Sequence, residues 1–344
     1  MTKYHPLSEL FKARLREFVR EPETIFWVYA FPVLLAIGLG IAFRNRPAER
    51  VFVDVQQHVS AEEVAKSLRS KPDFVVAIHS KPECLDRLRL GKSALVVIPG
   101  DPYTFLFDPT RPESVLARQQ VDDALQRAAG RKDPLPTADR HITEPGTRYI
   151  DFLIPGLLGM NLLAGSMWGV GYVIVDMRVR KLLKRFAATP MKRSHFLWSA
   201  LGGRMAFMIP EVVVILGTGV LLFGFPIRGN IFAILFLSLL GAASFAGLGL
   251  LVACRAQKVE TVSGLMNLIM MPMWLLSGVF FSPERFPDIL QPFIKILPLT
   301  HFNYALRAVI LEGASLSSQF WRLALIAAWG GISYFFTLRW FRWN

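Results

Sequence analysis

Six stretches of this 344-residue chain are apolar over the length that a bilayer demands: Ile25 to Phe43, Ile150 to Val175, Met205 to Phe225, Ile231 to Cys254, Val262 to Phe281 and Phe320 to Trp340. A helix needs about 20 mostly apolar residues to cross the hydrocarbon, with roughly 17 to 25 tolerated. Backbone polar groups find no partner in lipid, so runs this long read as helices rather than strands. A hydrophobic fraction of 53% argues against the alternative, buried helices of a soluble protein. The fold class predicted is mainly α: a polytopic membrane protein of six transmembrane helices with a small α/β domain inserted between the first and second.

Orientation follows from the Lys and Arg of the short loops, which stay cytoplasmic. Between the second and third spans lie Arg178, Arg180, Lys181, Lys184, Arg185, Lys192, Arg193 and Arg204 against one acid, Asp176. Parity then places Lys3, Lys12, Arg14, Arg16, Arg20, Arg255, Lys258, Arg339 and Arg342 on the same side, so both termini are predicted inside. The expected organisation is a cytoplasmic interfacial helix at 1–24, a first span at 25–43, an extracytoplasmic α/β domain at 44–148 and a five-helix region at 149–344. The last contains a cytoplasmic loop at 176–204 and an outer re-entrant hairpin at 284–313. The net charge of +13 could suggest nucleic acid. Basic and acidic residues nearly balance within 44–148, however, and the excess sits in loops where topology already places it, so no nucleic-acid partner is predicted.

A basic region followed by an apolar core resembles a cleaved signal peptide. Here the core is too long and runs into Phe43-Arg44-Asn45-Arg46-Pro47, so a retained anchor is predicted. Cys84 and Cys254 fall in different compartments on this topology, cannot pair with each other, and offer no metal or redox motif.

Within 44–148, β-type runs (Val51 to Val55, Phe74 to Ile78, Ala94 to Ile98, Tyr103 to Phe107) alternate with helical ones (Ala61 to Leu68, Pro82 to Leu90, Pro112 to Ala129), and 131–146 reads as a linker. Gly91-Lys92-Ser93 resembles the end of a phosphate-binding loop, but that loop needs a glycine five residues before the second one. That position is Asp86. His58, His79 and Cys84 lack metal-ligand spacing, and no metal site is predicted.

Two basic amphipathic helices are expected on the cytoplasmic side. Leu10, Phe11, Leu15, Phe18 and Val19 recur at helical period after a Ser8 cap and before Pro22. An interfacial anchor and a partner-contact surface both fit. Val179, Leu182, Leu183 and Phe186 repeat at i, i+3, i+4 and i+7 among Arg178, Arg180, Lys181, Lys184 and Arg185, with Thr189 and Pro190 ending the helix. Lipid contact and protein docking both fit this second helix. On the other side, Gly278 and Pro283 break the fifth span, Gln291 to Leu297 is too short to cross, and His301 to Leu311 follows Pro298 as a short amphipathic helix bearing Asn303, Tyr304 and Arg307. Two half-length helices suggest the re-entrant hairpin, allowed where protein covers irregular backbone.

Inside the spans, Glu211 after Pro210 would cost about 2.5 to 3.5 kcal/mol if unpaired. A substrate contact, a switchable ion pair, and a carboxyl hydrogen-bonded to a neighbouring helix such as the one bearing Asn267 are the readings. Asn161, Ser166 and Asn267 read as helix-packing residues, and Met266, Met270, Met271 and Met273 as core. Glu211, Asn161, Asn267 and Met270 are thus the candidates for a substrate path or for packing.

The run Ser277-Gly278-Val279-Phe280-Phe281 with Pro283, then Leu297-Pro298-Leu299-Thr300-His301-Phe302 and Ala305-Leu306-Arg307, resembles the signature of ABC-2 type transporter permeases. Phe186-Ala187-Ala188-Thr189-Pro190 resembles that family's first cytoplasmic loop, and the single outer domain is similar to its bacterial efflux branch with a long first outer loop. One departure stands out: where the family often carries an acid and a Gly-Thr pair, this chain has Asp176 and then Arg180-Lys181. The resemblance implies the permease subunit of an exporter of hydrophobic or amphipathic compounds in the bacterial cytoplasmic membrane. It implies two copies of a separate ATP-binding subunit, which would hold ATP and Mg, and a second permease, commonly an identical copy. It makes Asp176, Arg180, Lys181, Lys184, Arg185, Phe186, Thr189 and Pro190 the ATPase-coupling residues, and places the substrate route at the permease dimer interface. Gly278, Pro283, Pro298, His301, Asn303 and Arg307 are the outer-hairpin candidates. No ATP-binding motif occurs in the chain, so it is not expected to be an enzyme or to hold a cofactor itself. The rival classes are a membrane-anchored sensor, which needs no ATPase, and an ion-coupled transporter, which calls for paired ionisable residues in the spans.

Overall fold

The computed structural model describes residues 20–43, 50–132, 148–187 and 193–340, with isolated positions at 9, 11–13, 16, 135 and 138; side chains at 186–187 and 193–197 fall outside that description. Most of the expected N-terminal helix with its Ser8 cap, most of the 131–146 linker, and Thr189 with Pro190 therefore lie outside the described residues. Contacts divide the chain into two units, Met1–Arg44 with Thr143–Asn344, and Asn45–Ile142. Helix α1 (Pro22–Ala42) starts on a proline, whose missing N–H is harmless in a first turn. It widens into a π turn at Phe26–Ala30.

The smaller unit follows as β1 (Val51–Gln56), α2 (Ala61–Arg69), β2 (Phe74–His79), α3 (Lys81–Arg89), β3 (Leu95–Ile98), β4 (Thr104–Leu106) and α4 (Pro112–Ala128). The strand order is β2-β1-β3-β4, with β1 parallel to β2 and β3, and β4 antiparallel to β3. Alternation along β1 sends Val53 and Val55 into a core with Val64, Leu68 and Val121. Asp54 points the other way and pairs with Arg87 of α3 at 2.8 Å. Gly91, at φ 70°, closes α3: its N–H reaches Leu88 O, and the Lys92 N–H reaches Arg87 O. This is a Schellman ending, and the Ser93 hydroxyl bonds the carbonyls of Phe52 and Leu95, so the sequence likeness to a phosphate loop is a helix stop. Cys84 is buried, and burial, then Asp54 and Glu83, push its thiol up. His79 pairs with Glu83, and His58 bonds Ser60.

The larger unit continues as α5 (Tyr149–Val179), α6 (Leu182–Ala187), α7 (Arg193–Phe223), α8 (Ile231–Ala253), α9 (Val259–Leu276), α10 (Pro298–Leu311) and α11 (Phe320–Trp340). Five helices, α1, α5, α7, α8 and α9, are long and apolar enough to cross a membrane. The sixth expected span, α11, has the length, 21 residues, but Trp321, Arg322, Trp329, Tyr334 and Arg339 dilute its apolar character and it stands outside that set.

Contacts fix the helix directions. Gly249 lies against Met167, and Arg178 bonds Ala253 O; Ser244 bonds Ile326 O, and Arg255 lies over Trp340. Numbers rise together in both pairs, so α5, α8 and α11 run parallel. Against α5, by contrast, Val28 meets Asn161 while Gly40 meets Ile150; Arg204 meets Leu162 while Gly219 meets Ile154; Met266 meets Gly171 while Val279 meets Gly156. Helices α1, α7 and α9 therefore run the opposite way.

Two local expectations change. The segment after α9 holds one helix of substance rather than two: Pro283–Arg285, Asp288–Leu290 and Gln291–Ile294 are single turns. Pro283, Pro287 and Pro292 each remove a backbone donor there, whereas α10 runs unbroken and starts at Pro298, earlier than the expected His301. The helix expected through Arg178 to Phe186 is broken between Arg180 and Leu182, where Lys181 adopts φ 59°.

Candidate functional site

A polar network is buried among α1, α5 and α7. Arg204 and Glu211 sit two turns apart on one face of α7, and their side chains are 4% and 0% exposed. The Arg204 Nη1 donates to Glu211 Oε2 at 2.8 Å, its Nε to Ser166 Oγ at 3.0 Å, and its Nη2 to Leu162 O at 3.3 Å. Gly165 makes this possible, since a Cβ there would come within 2.8 Å of the guanidinium. Beside the pair, Tyr29 donates to Phe207 O at 3.2 Å, one turn before Pro210 interrupts the α7 ladder. Asn161 donates to Val28 O at 2.8 Å. Val28 and Tyr29 belong to the π turn of α1, and Ser166 immediately precedes a second π segment, Met167–Tyr172, in α5. Single-turn π segments recur at functional sites, and here two of them flank one ion pair. Glu211 Oε1 has no hydrogen-bond partner among the described residues.

The loop after α5 is anchored rather than laid out flat. Asp176 pairs with Arg180 at 2.9 Å, Lys181 turns the chain, and Leu183 is buried with Val170, Ile174, Ala246 and Leu250. Lys184 and Arg185 are exposed. At the end of α5, Arg178 donates to the carbonyls of Ala253 and Cys254, at 2.9 and 3.3 Å, and to that of Ala256. These carbonyls at the end of α8 have no partner within the helix, so α5 caps α8.

Side chains satisfy several of the carbonyls freed at the break after α9. Gly278 takes φ 75°, and Pro283 lies so close that a Cβ on Gly278 would meet its ring at 3.0 Å. Asn303 donates to Ser277 O at 2.9 Å and Tyr149 to Phe280 O at 3.1 Å. Arg307 donates to Gly278 O and, through Nη2 at 3.0 Å, to Phe152 O. Its guanidinium stacks 3.6 Å from the Phe152 ring centroid. Gln291 serves Pro283 O and Phe286 O, both at 2.9 Å, and His301 Nε2 lies 2.7 Å from Lys295 O.

The candidate residues fall into three places: the buried network, the loop after α5 and the break after α9. Glu211 and Asn161 join the buried network; Met270 is buried in the core. Asn267 is exposed on α9 and does not partner Glu211; Arg204 does. The sequence reading missed Arg204, Arg178 and Tyr29. In the sequence both arginines read as loop charge, and the available signal is Arg204 lying seven residues before Glu211, on the same helical face.

These features define the class first: a multi-pass membrane protein whose irregular backbone and charged groups are held inside a helical bundle. The chain belongs to the ABC-2 family of transporter proteins, which it matches over residues 22–340. It is 22% identical to "Probable multidrug ABC transporter permease YbhR" of Escherichia coli, across 95% of this chain and 96% of that one. It is 21% identical to the similarly named YbhS, across 87% and 86%. Similarity to "ABC transporter G family member 20" of Dictyostelium discoideum, 29% identity, covers 58% of this chain and only 27% of that longer protein.

Proposed function

We propose that this chain is the permease subunit of an ATP-driven exporter, moving a hydrophobic or amphipathic compound outward across the bacterial cytoplasmic membrane. A separate ATP-binding subunit, two copies per complex, hydrolyses ATP. The observation that carries the reading is the mechanical path from the loop after α5 into the bundle. Leu183 seats α6 on α5 and α8, and Arg178 ties the end of α5 to the end of α8. A push on α6 from an ATPase reaches two span helices directly, and α5 carries it to the Arg204–Glu211 pair through Ser166. The names of the bacterial relatives agree with this role.

Six crossings are the reading for the bundle. The parallel course of α11 beside α8, from the Ser244–Ile326 contact to the Arg255–Trp340 contact, supports α11 as the sixth crossing, and the alternating directions support both termini lying on one side. The basic loops support a cytoplasmic assignment for that side and an extracytoplasmic one for the domain at 44–148. A homodimer would cover Asn267, a polar amide that otherwise faces lipid beside Leu268 and Met271.

The test is co-expression with each ATP-binding protein encoded near the gene, followed by affinity purification on this chain and ATPase measurement. Stable association, with hydrolysis altered by Leu183→Asp, is expected. If every candidate fails to bind, or if Leu183→Asp leaves hydrolysis and export untouched, the proposal is wrong.

A further inference from the structure

We infer that the bundle carries a binding site for an anionic phospholipid at the level where α8 and α11 end and α9 begins, with Arg255 taking the phosphate. A cavity of about 450 Å³ opens there, walled by Leu251, Val252, Leu265 and Ile269, with Arg255 and Trp340 at its margin. That volume lies within the range of roughly 300 to 1,000 Å³ typical of small-ligand sites. Apart from Cys254, the walls offer an acyl chain aliphatic side chains.

The margin is cationic and aromatic. The Arg255 guanidinium lies 5.7 Å from the Trp340 ring centroid, and Trp340 lies tilted against Phe336, with ring centroids 4.8 Å apart. Arg255, Lys258 and Arg339 are all exposed, and no ion pair among the described residues includes any of them. Arg255 is not needed as a helix cap either, because Arg178 already occupies the carbonyls of Ala253, Cys254 and Ala256. A cation left without an acidic partner among the described residues, beside an indole and an apolar cavity, matches the three layers of a phospholipid. The phosphate meets Arg255, the ester region meets Trp340 at the depth that tryptophans favour, and the chain meets the aliphatic wall.

Charge decides which lipid. Juxtamembrane cations attract anionic headgroups, whereas a zwitterionic headgroup brings its own ammonium to the same margin. The inference rests on the membrane-spanning reading of α8, α9 and α11, and is independent of ATP coupling and of the exported compound.

The experiment is native mass spectrometry of the full-length purified chain in detergent, incubated with dioleoylphosphatidylglycerol or dioleoylphosphatidylcholine. Phosphatidylglycerol is expected to be retained preferentially. Arg255→Ala should lower its retention about fivefold, the strength of one surface cation, while Arg255→Lys keeps most of it. Ile269→Trp fills the cavity without touching a charge and should also lower retention, which covers the case in which Arg255→Ala fails to fold. Equal retention of the two lipids, or unchanged phosphatidylglycerol retention in both Arg255→Ala and Ile269→Trp, overturns the inference. Failure here with an intact ATPase partnership would leave the permease reading standing.

Discussion

Breaking the Arg204–Glu211 pair should be far more damaging than removing it whole. Glu211 gives Arg204 its only anionic partner among the described residues; Ser166 Oγ and Leu162 O are neutral acceptors. Arginine stays charged in any protein environment, so Glu211→Leu strands a cation that is only 4% exposed. Removing one partner of a buried pair costs about 3–5 kcal/mol, whereas replacing both with apolar residues of similar volume is close to neutral. At roughly 2–4 °C per kcal/mol for a unit of this size, Glu211→Leu should lower the thermal midpoint by roughly 6–20 °C. The double variant Arg204→Met/Glu211→Leu should recover most of that loss. Glu211→Gln, which keeps a carbonyl acceptor for Arg204, should fold and yet export poorly if the charge is needed during the cycle. Midpoints come from fluorescence-detected gel filtration of the detergent-solubilised chain after heating, and export from proteoliposomes containing the complex. Single and double effects that simply add, with coupling below about 0.5 kcal/mol, would refute the reasoning.

Three further outcomes are expected. Lys181→Gly relieves the strain of a side chain on left-handed backbone, about 1–2 kcal/mol, offset in part by glycine's entropy; a net gain of about 0.5–1 kcal/mol should appear as a raised midpoint. Arg307→Lys loses the planar stack on Phe152 and the fork that joins Phe152 O to Gly278 O, at a cost of about 2 kcal/mol, read as a lowered midpoint and faster proteolysis near Gly278. Gly159→Ala drives a methyl into the Asn303 side chain; overpacking of this kind costs about 1–3 kcal/mol, and Asn303→Ser should restore part of it in the same heating assay.

Periodicity made the smaller unit legible almost element by element, because each strand and helix there announces itself by its own spacing and its glycine or proline stops. The span helices were legible for a different reason: in lipid a continuous apolar run of about 20 residues satisfies its own backbone as a helix. What stayed hidden were long-range side-chain assignments. Arg178 and Arg204 look identical to their loop neighbours as letters, since a count of cations carries no depth, and only the packed helices show that one caps α8 and the other meets Glu211. The break at Lys181 was masked by an unbroken amphipathic pattern: Val179 and Leu183 keep helical spacing on either side of a residue whose backbone leaves the helix. The signature runs near Gly278 and Pro298 were visible separately. Their reason for existing together, that Asn303 and Arg307 satisfy the carbonyls freed at Ser277 and Gly278, required the fold.

The wide turn at Met167–Tyr172 has a geometric corollary. Such a turn is an ordinary helix that has taken in one surplus residue, and resolving it would hand that residue along the axis. Each residue of α-helix advances about 1.5 Å and, at 3.6 per turn, rotates about 100°. With Ser166 held at Arg204, the screw would be taken up wholly by the far end of α5, so Asp176 and Arg178 would change the side of the helix from which they project. A one-residue adjustment deep in the bundle is therefore enough to re-aim the groups that tether α6 and cap α8, with no hinge anywhere in the loop.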